Sequence, residues 1–285
     1  MKKLALSLFA LIVAATPSLA GKNDCSGAEL WSHDTTLYGR WEVRMQAGAK
    51  SGTVSSFFLY YNASHEGKGQ PWRELDIEVL GKNPKGFQSN PITGTAEKRV
   101  TAEMFHETSK DLSKTFSTYV MEWTPDSIVW QLDGKTIRKI GAKDSSTIAL
   151  RSKPMSWRMN LWASAWPSWT GAFDVAALPT CQFVNWIRFH KYTPGKGPNK
   201  SNWTQAWIDD FDSLNMERWG QGTWGFDGNY ATFTPANMQT KRGMAVLALT
   251  RKGEEGIDCG YPRGMYPEDE LGRDYPGPGK AGTLP

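Results

Sequence analysis

Apolar and polar residues alternate with a period of two along most of the chain. Across residues 40–46, Trp41, Val43 and Met45 take turns with charged or polar neighbours. On an extended strand, alternate side chains point to opposite faces. The pattern therefore predicts strands with one face buried. Residues 127–140 contain two such runs around Asp133-Gly134, the mark of a tight hairpin. Residues 183–192 and 243–250 read the same way, and sustained helical periodicity is absent beyond residue 20. Many short strands punctuated by Gly, Asn and Asp predict an all-β fold, an antiparallel β-sandwich.

Three segments break the pattern. Lys2 and Lys3 precede an apolar run over residues 4–15, and Ser18-Leu19-Ala20 supplies a small-x-small cleavage site. Residues 1–20 thus read as a signal peptide, which predicts a secreted or periplasmic product beginning at Gly21. The run is shorter than the ~20 residues a membrane-spanning helix needs. Residues 194–202 (PGKGPNKSN) read as a linker or long surface loop. Residues 203–252 are too few for an independent β core. They are expected to complete the sheets of one domain spanning 21–252. Residues 253–285 form a Gly/Pro-rich tail, expected to be mobile or draped on the surface.

Composition narrows the function. The chain has 285 residues, 39% hydrophobic, enough for one large domain with a substantial core. Its 33 basic residues include Lys2 and Lys3, so the rest exceeds the 29 acidic residues by two only. That balance gives no argument for nucleic acid, and nothing after the signal suggests a membrane. A monomer is expected. Fourteen Trp, against twelve Phe and nine Tyr, exceed what a core needs and suggest exposed aromatic surfaces. Cys25, Cys181 and Cys259 allow one disulfide with one thiol left over. All three pairings are open. Cys25–Cys181 is favoured here because Cys259 lies in the tail. The four His are isolated, so no metal site is expected from them. Gly220 to Gly225 matches G-x-G-x-x-G, but without a preceding strand or following helix it gives no dinucleotide site.

The segment Arg73-Glu74-Leu75-Asp76-Ile77-Glu78-Val79-Leu80 carries the chemistry. On a strand, Leu75, Ile77 and Val79 face one way, and Glu74, Asp76 and Glu78 face the other at ~7 Å intervals. Three like charges in a row, once desolvated, force at least one carboxyl to hold its proton. Glycoside hydrolysis needs such an asymmetric pair, one carboxyl protonated and one ionised. Two Glu side chains leaning inward from positions four apart approach the ~5–5.5 Å separation of retaining enzymes. Asp76 would tune both neighbours. A solvated acidic face on an amphipathic strand is the plain alternative. Trp72, the run from Phe57 to Asn62, and Trp162, Trp166 and Trp169 tip the balance toward an aromatic cleft. Flat rings with few charges suit the C–H faces of sugars.

These residues resemble a known family. Glu74-x-Asp76-x-Glu78 followed by Leu80-Gly81-Lys82 is similar to the catalytic strand of glycoside hydrolase family 16, in the form found in its lichenases. Gln88-Ser89-Asn90 and Arg158-Met159-Asn160-Leu161-Trp162 resemble two of its substrate-lining strands. The stretch 209–250, with Asp209-Asp210-Phe211-Asp212 and Arg218-Trp219, resembles a segment that precedes the catalytic strand in most of the family. Here it follows, as in circularly permuted bacterial lichenases. The resemblance implies a jelly roll with a concave substrate-binding sheet. It implies Glu74 as nucleophile, Glu78 as general acid/base and Asp76 as their assistant. It places Phe58, Tyr60, Asn62, Trp72, Gln88, Asn90, Glu103, Arg158, Asn160, Trp162, Trp169 and Trp224 in the cleft. No cofactor is implied for catalysis, although many members hold a structural calcium, for which Asn185, Asp210 and Gly243 lie in plausible segments.

The expected function is a secreted, retaining endo-β-glucanase that cuts β-1,4 bonds in mixed-linkage β-1,3-1,4-glucan, its polysaccharide partner. The alternatives are a hydrolase or transglycosylase for another β-glucan or exopolysaccharide, and a carbohydrate-binding sandwich without catalysis.

Overall fold

The computed structural model describes residues 24–260 and 262. Two antiparallel sheets pack face to face over one core. The inner sheet runs, in spatial order, Trp219–Gln221, Cys25–Ser32, Ser156–Ala163, Thr53–Tyr60, Glu74–Leu80 and Gly86–Gly94. Arg99–Thr101 and Met104–Glu107 share its far edge. The outer sheet is centred on Thr180–Tyr192. One side of that strand meets Ala245–Arg251 and Trp203–Asp209. Its other side leads through Gly39–Gln46, Ser117–Trp123 and Ser127–Leu132 to Lys135–Gly141.

The period-two positions fill the space between the sheets. Trp41, Val43 and Met45 from the outer sheet and Leu75, Ile77 and Val79 from the inner sheet are fully buried in one cluster. Burying such a side chain contributes roughly 1.5–3 kcal/mol, so this alternation is the main force holding the sheets together. The expected hairpin is present: Lys135 pairs with Leu132 across Asp133 and Gly134, whose φ angles are 48° and 78°. Both central residues are left-handed, the turn that matches strand twist and favours Asp-Gly.

Residues 194–202 connect two neighbouring strands of the outer sheet. Thr193 N donates to Asn202 O at 2.8 Å and Gly197 N to Ser201 O at 2.9 Å. Strands beyond residue 202 join both sheets, Trp219–Gln221 against Cys25–Ser32 and Ala245–Arg251 against Thr180–Tyr192.

The cysteines correct the expected pairing. Cys181 bonds Cys259, and Cys25 is a free, buried thiol. Cys25 lies in the core between the sheets, whereas Cys181 points to the outside of the outer sheet, beside Phe183, Trp186 and Val246. With a sheet between them the two cannot meet. Residues 253–260 are correspondingly pinned rather than loose. Ser26 Oγ donates to Glu255 at 2.6 Å, Gly256 N donates to Asn237 Oδ1 at 3.1 Å, and Lys241 pairs with Asp258. The predicted signal peptide and the rest of the tail lie outside the described residues.

Candidate active site

Strand register assembles the outward face of the inner sheet into rows. In one row Gln88, Glu78, Ser56, Asn160 and Glu29 lie side by side. In the next are Asn90, Asp76, Phe58, Arg158 and Trp31. A third holds Ile92, Glu74, Tyr60 and Ser156. Antiparallel pairing thus brings residues more than 130 positions apart onto one surface. The core side of the same strand is apolar, so the acids cannot turn inward, and Trp130 Nε1 anchors the strand by donating to Asp76 O at 3.0 Å.

The three carboxyls are not equivalent. Burial pushes Glu78 from the usual 4.5 up to about 8, with the charges of Glu74 and Glu103 adding to it. Burial also raises Glu74, but only to about 7. A hydrogen bond from Trp72 Nε1, 2.6 Å from Glu74 Oε2, opposes the rise, as do the charges of Arg99 and Arg158. Asp76, 4% exposed, is raised well above the ordinary range by burial and then by Glu74 and Glu78, and it shares a hydrogen bond with Glu74. The arrangement favours the proton on Glu78 and eases the ionisation of Glu74, which shares a hydrogen bond with Asp76.

Several predicted substrate-binding groups are already engaged by the protein. Arg158 donates from Nη1 to Glu29 Oε1 at 2.9 Å, from Nη2 to Asn62 Oδ1 at 2.8 Å and from Nε to Ser156 Oγ at 3.2 Å. Asn160 Nδ2 donates to Glu29 Oε2 at 2.9 Å, and Asn160 Oδ1 accepts from Ser56 at 2.5 Å. Gln88 is held between Trp169 Nε1 at 2.7 Å and Glu103 at 2.6 Å, while Asn90 Oδ1 accepts from Ala102 N at 3.1 Å. Glu29 is the residue that sequence reasoning missed. It is 3% exposed, and burial raises its pKa against the pull of Arg158 and Asn160. Its position opposite Asn160 comes from strand pairing alone; only the polar residue at 29 between buried Ala28 and Leu30 hinted at it.

The aromatic residues divide. Seven of the fourteen Trp, including Trp41, Trp123, Trp130 and Trp157, are buried, so half of them are core. Trp162, 5% exposed, supports Trp166, Trp169 and Phe226 from beneath. Trp166 and Trp224 present open surface. Trp224 lies beside Trp31, and the Arg158 guanidinium is 5.9 Å from its ring centroid and 4.9 Å from that of Tyr60. Tyr60 meets Trp72 edge-on at 5.7 Å, and Phe58 lies 6.4 Å from Tyr60. The glycines of the G-x-G-x-x-G match serve packing. A Cβ on Gly220 would sit 2.3 Å from the Trp31 ring.

For a metal, Asn185 and Gly243 are neighbours. Asn185 Nδ2 reaches Gly243 O at 3.5 Å, and Asn185 Oδ1 is buried without a hydrogen-bond partner. Asp210 instead accepts from Asp212 N at 3.5 Å. Among the described residues, no group of three His, Cys, Asp or Glu side chains is arranged to hold a metal ion.

Comparison with known proteins gives the family. The family model described as glycosyl hydrolases family 16 matches residues 10–179. A beta-glucanase of Fibrobacter succinogenes is 45% identical over 265 residues, covering 93% of this chain and 75% of that protein. A beta-glucanase of Brevibacillus brevis is 34% identical over 184 residues, covering 64% of this chain and 66% of that protein. Among solved structures, Bacillus licheniformis beta-glucanase aligns at 30% identity over 57% of this chain and 71% of that one, with a TM-score of 0.48. With the family match spanning more than half its length, this chain belongs to glycosyl hydrolases family 16.

Proposed function

We propose that the protein is an exported, retaining endo-β-glucanase that hydrolyses β-1,4 bonds in mixed-linkage β-1,3-1,4-glucan. The observation that carries this reading is the unequal pair on one face of one strand, where Glu74 accepts from Trp72 Nε1 at 2.6 Å and is drawn toward ionisation by Arg99 and Arg158, while burial and its acidic neighbours favour the proton on Glu78. Acid and nucleophile roles require that difference. The beta-glucanase names of the relatives support the substrate class.

In the first step the Glu74 carboxylate attacks the anomeric carbon. The glycosidic C–O bond breaks, its electron pair goes to the leaving oxygen, and Glu78 gives that oxygen its proton. In the second, Glu78, now ionised, takes a proton from water. The water oxygen bonds the anomeric carbon, and the ester bond to Glu74 breaks. Asp76, hydrogen-bonded to Glu74, steadies the nucleophile's charge in the free enzyme and after deglycosylation. The chain would lie across the acid rows, with Tyr60, Trp72, Trp224 and the ring cluster around Trp169 offering faces and edges to sugar rings. No step draws on a metal. A calcium beside Asn185 and Gly243 would be structural.

The order of segments supports a circular permutation, since strands beyond residue 202 enter both sheets, Trp219–Gln221 beside Cys25–Ser32 and Ala245–Arg251 beside Thr180–Tyr192. Chain ends that lie close together in a domain make such rearrangement possible.

The test is reducing-sugar release by the purified protein from mixed-linkage glucan, with pure β-1,3 and pure β-1,4 glucans alongside. Release from the mixed polymer alone is expected. Equal release from a single-linkage glucan would overturn the linkage assignment, and oligosaccharides longer than the starting ones would indicate transfer to sugar instead of water.

A further inference from the structure

Arg99 lies outside the predicted site. It opens the short edge strand Arg99–Thr101 and is exposed. Its guanidinium carbon stands 4.7 Å from the centroid of the Trp72 ring, within cation–π range. The same indole donates to Glu74 Oε2 at 2.6 Å. The backbone builds this stack. Arg99 pairs with Gly94 across the strand, and Trp72 N donates to Gly94 O at 2.8 Å, so Gly94 ties both partners in place. Gly94 has φ of 91°, and a Cβ there would fall 2.2 Å from Lys98 O, so only glycine makes this turn without strain.

The charges around Glu74 single out Arg99. Asp76 and Glu78 lie on its own strand, Glu103 follows the edge strand, and Tyr60 faces it from the neighbouring strand. Two cations oppose them. Arg158 is compensated by the buried Glu29 at 2.9 Å. Arg99 has no carboxylate within 4.0 Å among the described residues, so its field reaches Glu74 undiminished by a counter-ion. Among the described residues, no cation acts on Glu78 as Arg99 acts on Glu74.

We propose that Arg99 is a positioning residue for hydrolysis, which clamps the Trp72 indole against the Glu74 carboxylate and supplies the uncompensated positive charge that distinguishes Glu74 from Glu78. Its catalytic meaning rests on Glu74 being the nucleophile; its effect on Glu74 does not.

The test follows the Glu74 side-chain carboxyl by 13C NMR titration, assigned with Glu74→Gln, in the parent protein, Arg99→Gln and Arg99→Lys. The Trp72 indole N–H signal, assigned with Trp72→Phe, is followed in parallel. In Arg99→Gln the Glu74 midpoint should rise by about 0.5–1 pH unit, a roughly three- to tenfold change in proton affinity. The acid limb of kcat/KM should move with it, and the indole signal should shift or broaden. Arg99→Lys should restore most of the midpoint, because it keeps the charge, but not the indole signal, because it loses the planar stack. An unmoved Glu74 midpoint in Arg99→Gln would overturn the proposal whatever the role of Glu74. A moved midpoint with an unmoved rate profile would retain Arg99's effect on Glu74 and count against Glu74 as nucleophile. Azide rescue of Glu74→Ala, giving a glycosyl azide of inverted configuration, checks that role independently.

Discussion

The two sheets carry their polar residues in opposite ways. On the outer sheet, Arg40 pairs with both Glu42 and Glu122, and Arg188 reaches Glu42 at 3.3 Å. Two cations meet two anions near solvent, and the network is neutral. On the inner sheet, Glu74, Asp76 and Glu78 stand in one row with like sign, desolvated, and all three hold protons more tightly than ordinary carboxyls. Both faces show the same period-two pattern of charge outside and apolar residues inside. What separates the two faces is whether the charges cancel. Where they do not, the protein holds carboxyls in a state that folding alone would disfavour, which is the electrostatic mark of a functional site.

The comparison breaks most sharply at the acids. Glu74→Gln and Glu78→Gln should each lower kcat by about 10³-fold or more with the fold retained, as judged by circular dichroism. Asp76→Asn should lower it less, since Asp76 touches Glu74 rather than substrate. Normal turnover in either Glu variant would refute the assignment.

Next comes Glu29→Gln, which removes the charge compensating Arg158 in a buried pair. A loss of about 3 kcal/mol in stability is expected from urea unfolding. A lower kcat/KM is expected with it, because Asn160 and Arg158 lose their shared anchor. A variant as stable as the parent would show that Arg158 finds water or another partner.

A smaller effect distinguishes reactivity from stability. The kcat/KM profile should be a narrow bell, rising as Glu74 ionises near about 7 and falling as Glu78 loses its proton near about 8. Glu78 binds its proton more tightly in the folded than in the unfolded chain. Its stabilising contribution is therefore complete below the ordinary 4.5 and lost as pH rises through about 8. Gln at 78 does not titrate. Glu78→Gln should consequently melt above the parent at pH 8.5, by about 2–6 °C, with the gap closing at pH 4.5. A gap that widened toward acid would reverse the sign of the argument.

The smallest change belongs to the outer sheet. Glu42→Gln should cost about 1 kcal/mol and leave turnover unchanged, because the pairs it breaks are still partly open to water and far from the acid strand's outer face. A large loss of activity there would mean that the outer network also acts on the cleft.

Alternation along the chain was sufficient to predict an all-β sandwich, the Asp133-Gly134 hairpin, and the facing of Glu74, Asp76 and Glu78, because these depend on neighbours within a few residues. It was enough, with the family resemblance, to nominate the cleft. The tertiary structure decided what long-range pairing controls. Trp162 and Trp166 lie four apart, yet one supports and the other is exposed, because only the packing above them differs. Cys181 found Cys259 because a sheet separates it from Cys25. Glu29 reached Arg158 and Asn160, and Arg99 reached Trp72, from opposite sides of the acid strand through strand registers that no local pattern encodes. Charge balance at the site is a sum over these distant partners. The candidate carboxyls and the need for one of them to hold a proton were therefore legible in sequence, and the distant groups that bias each one were not.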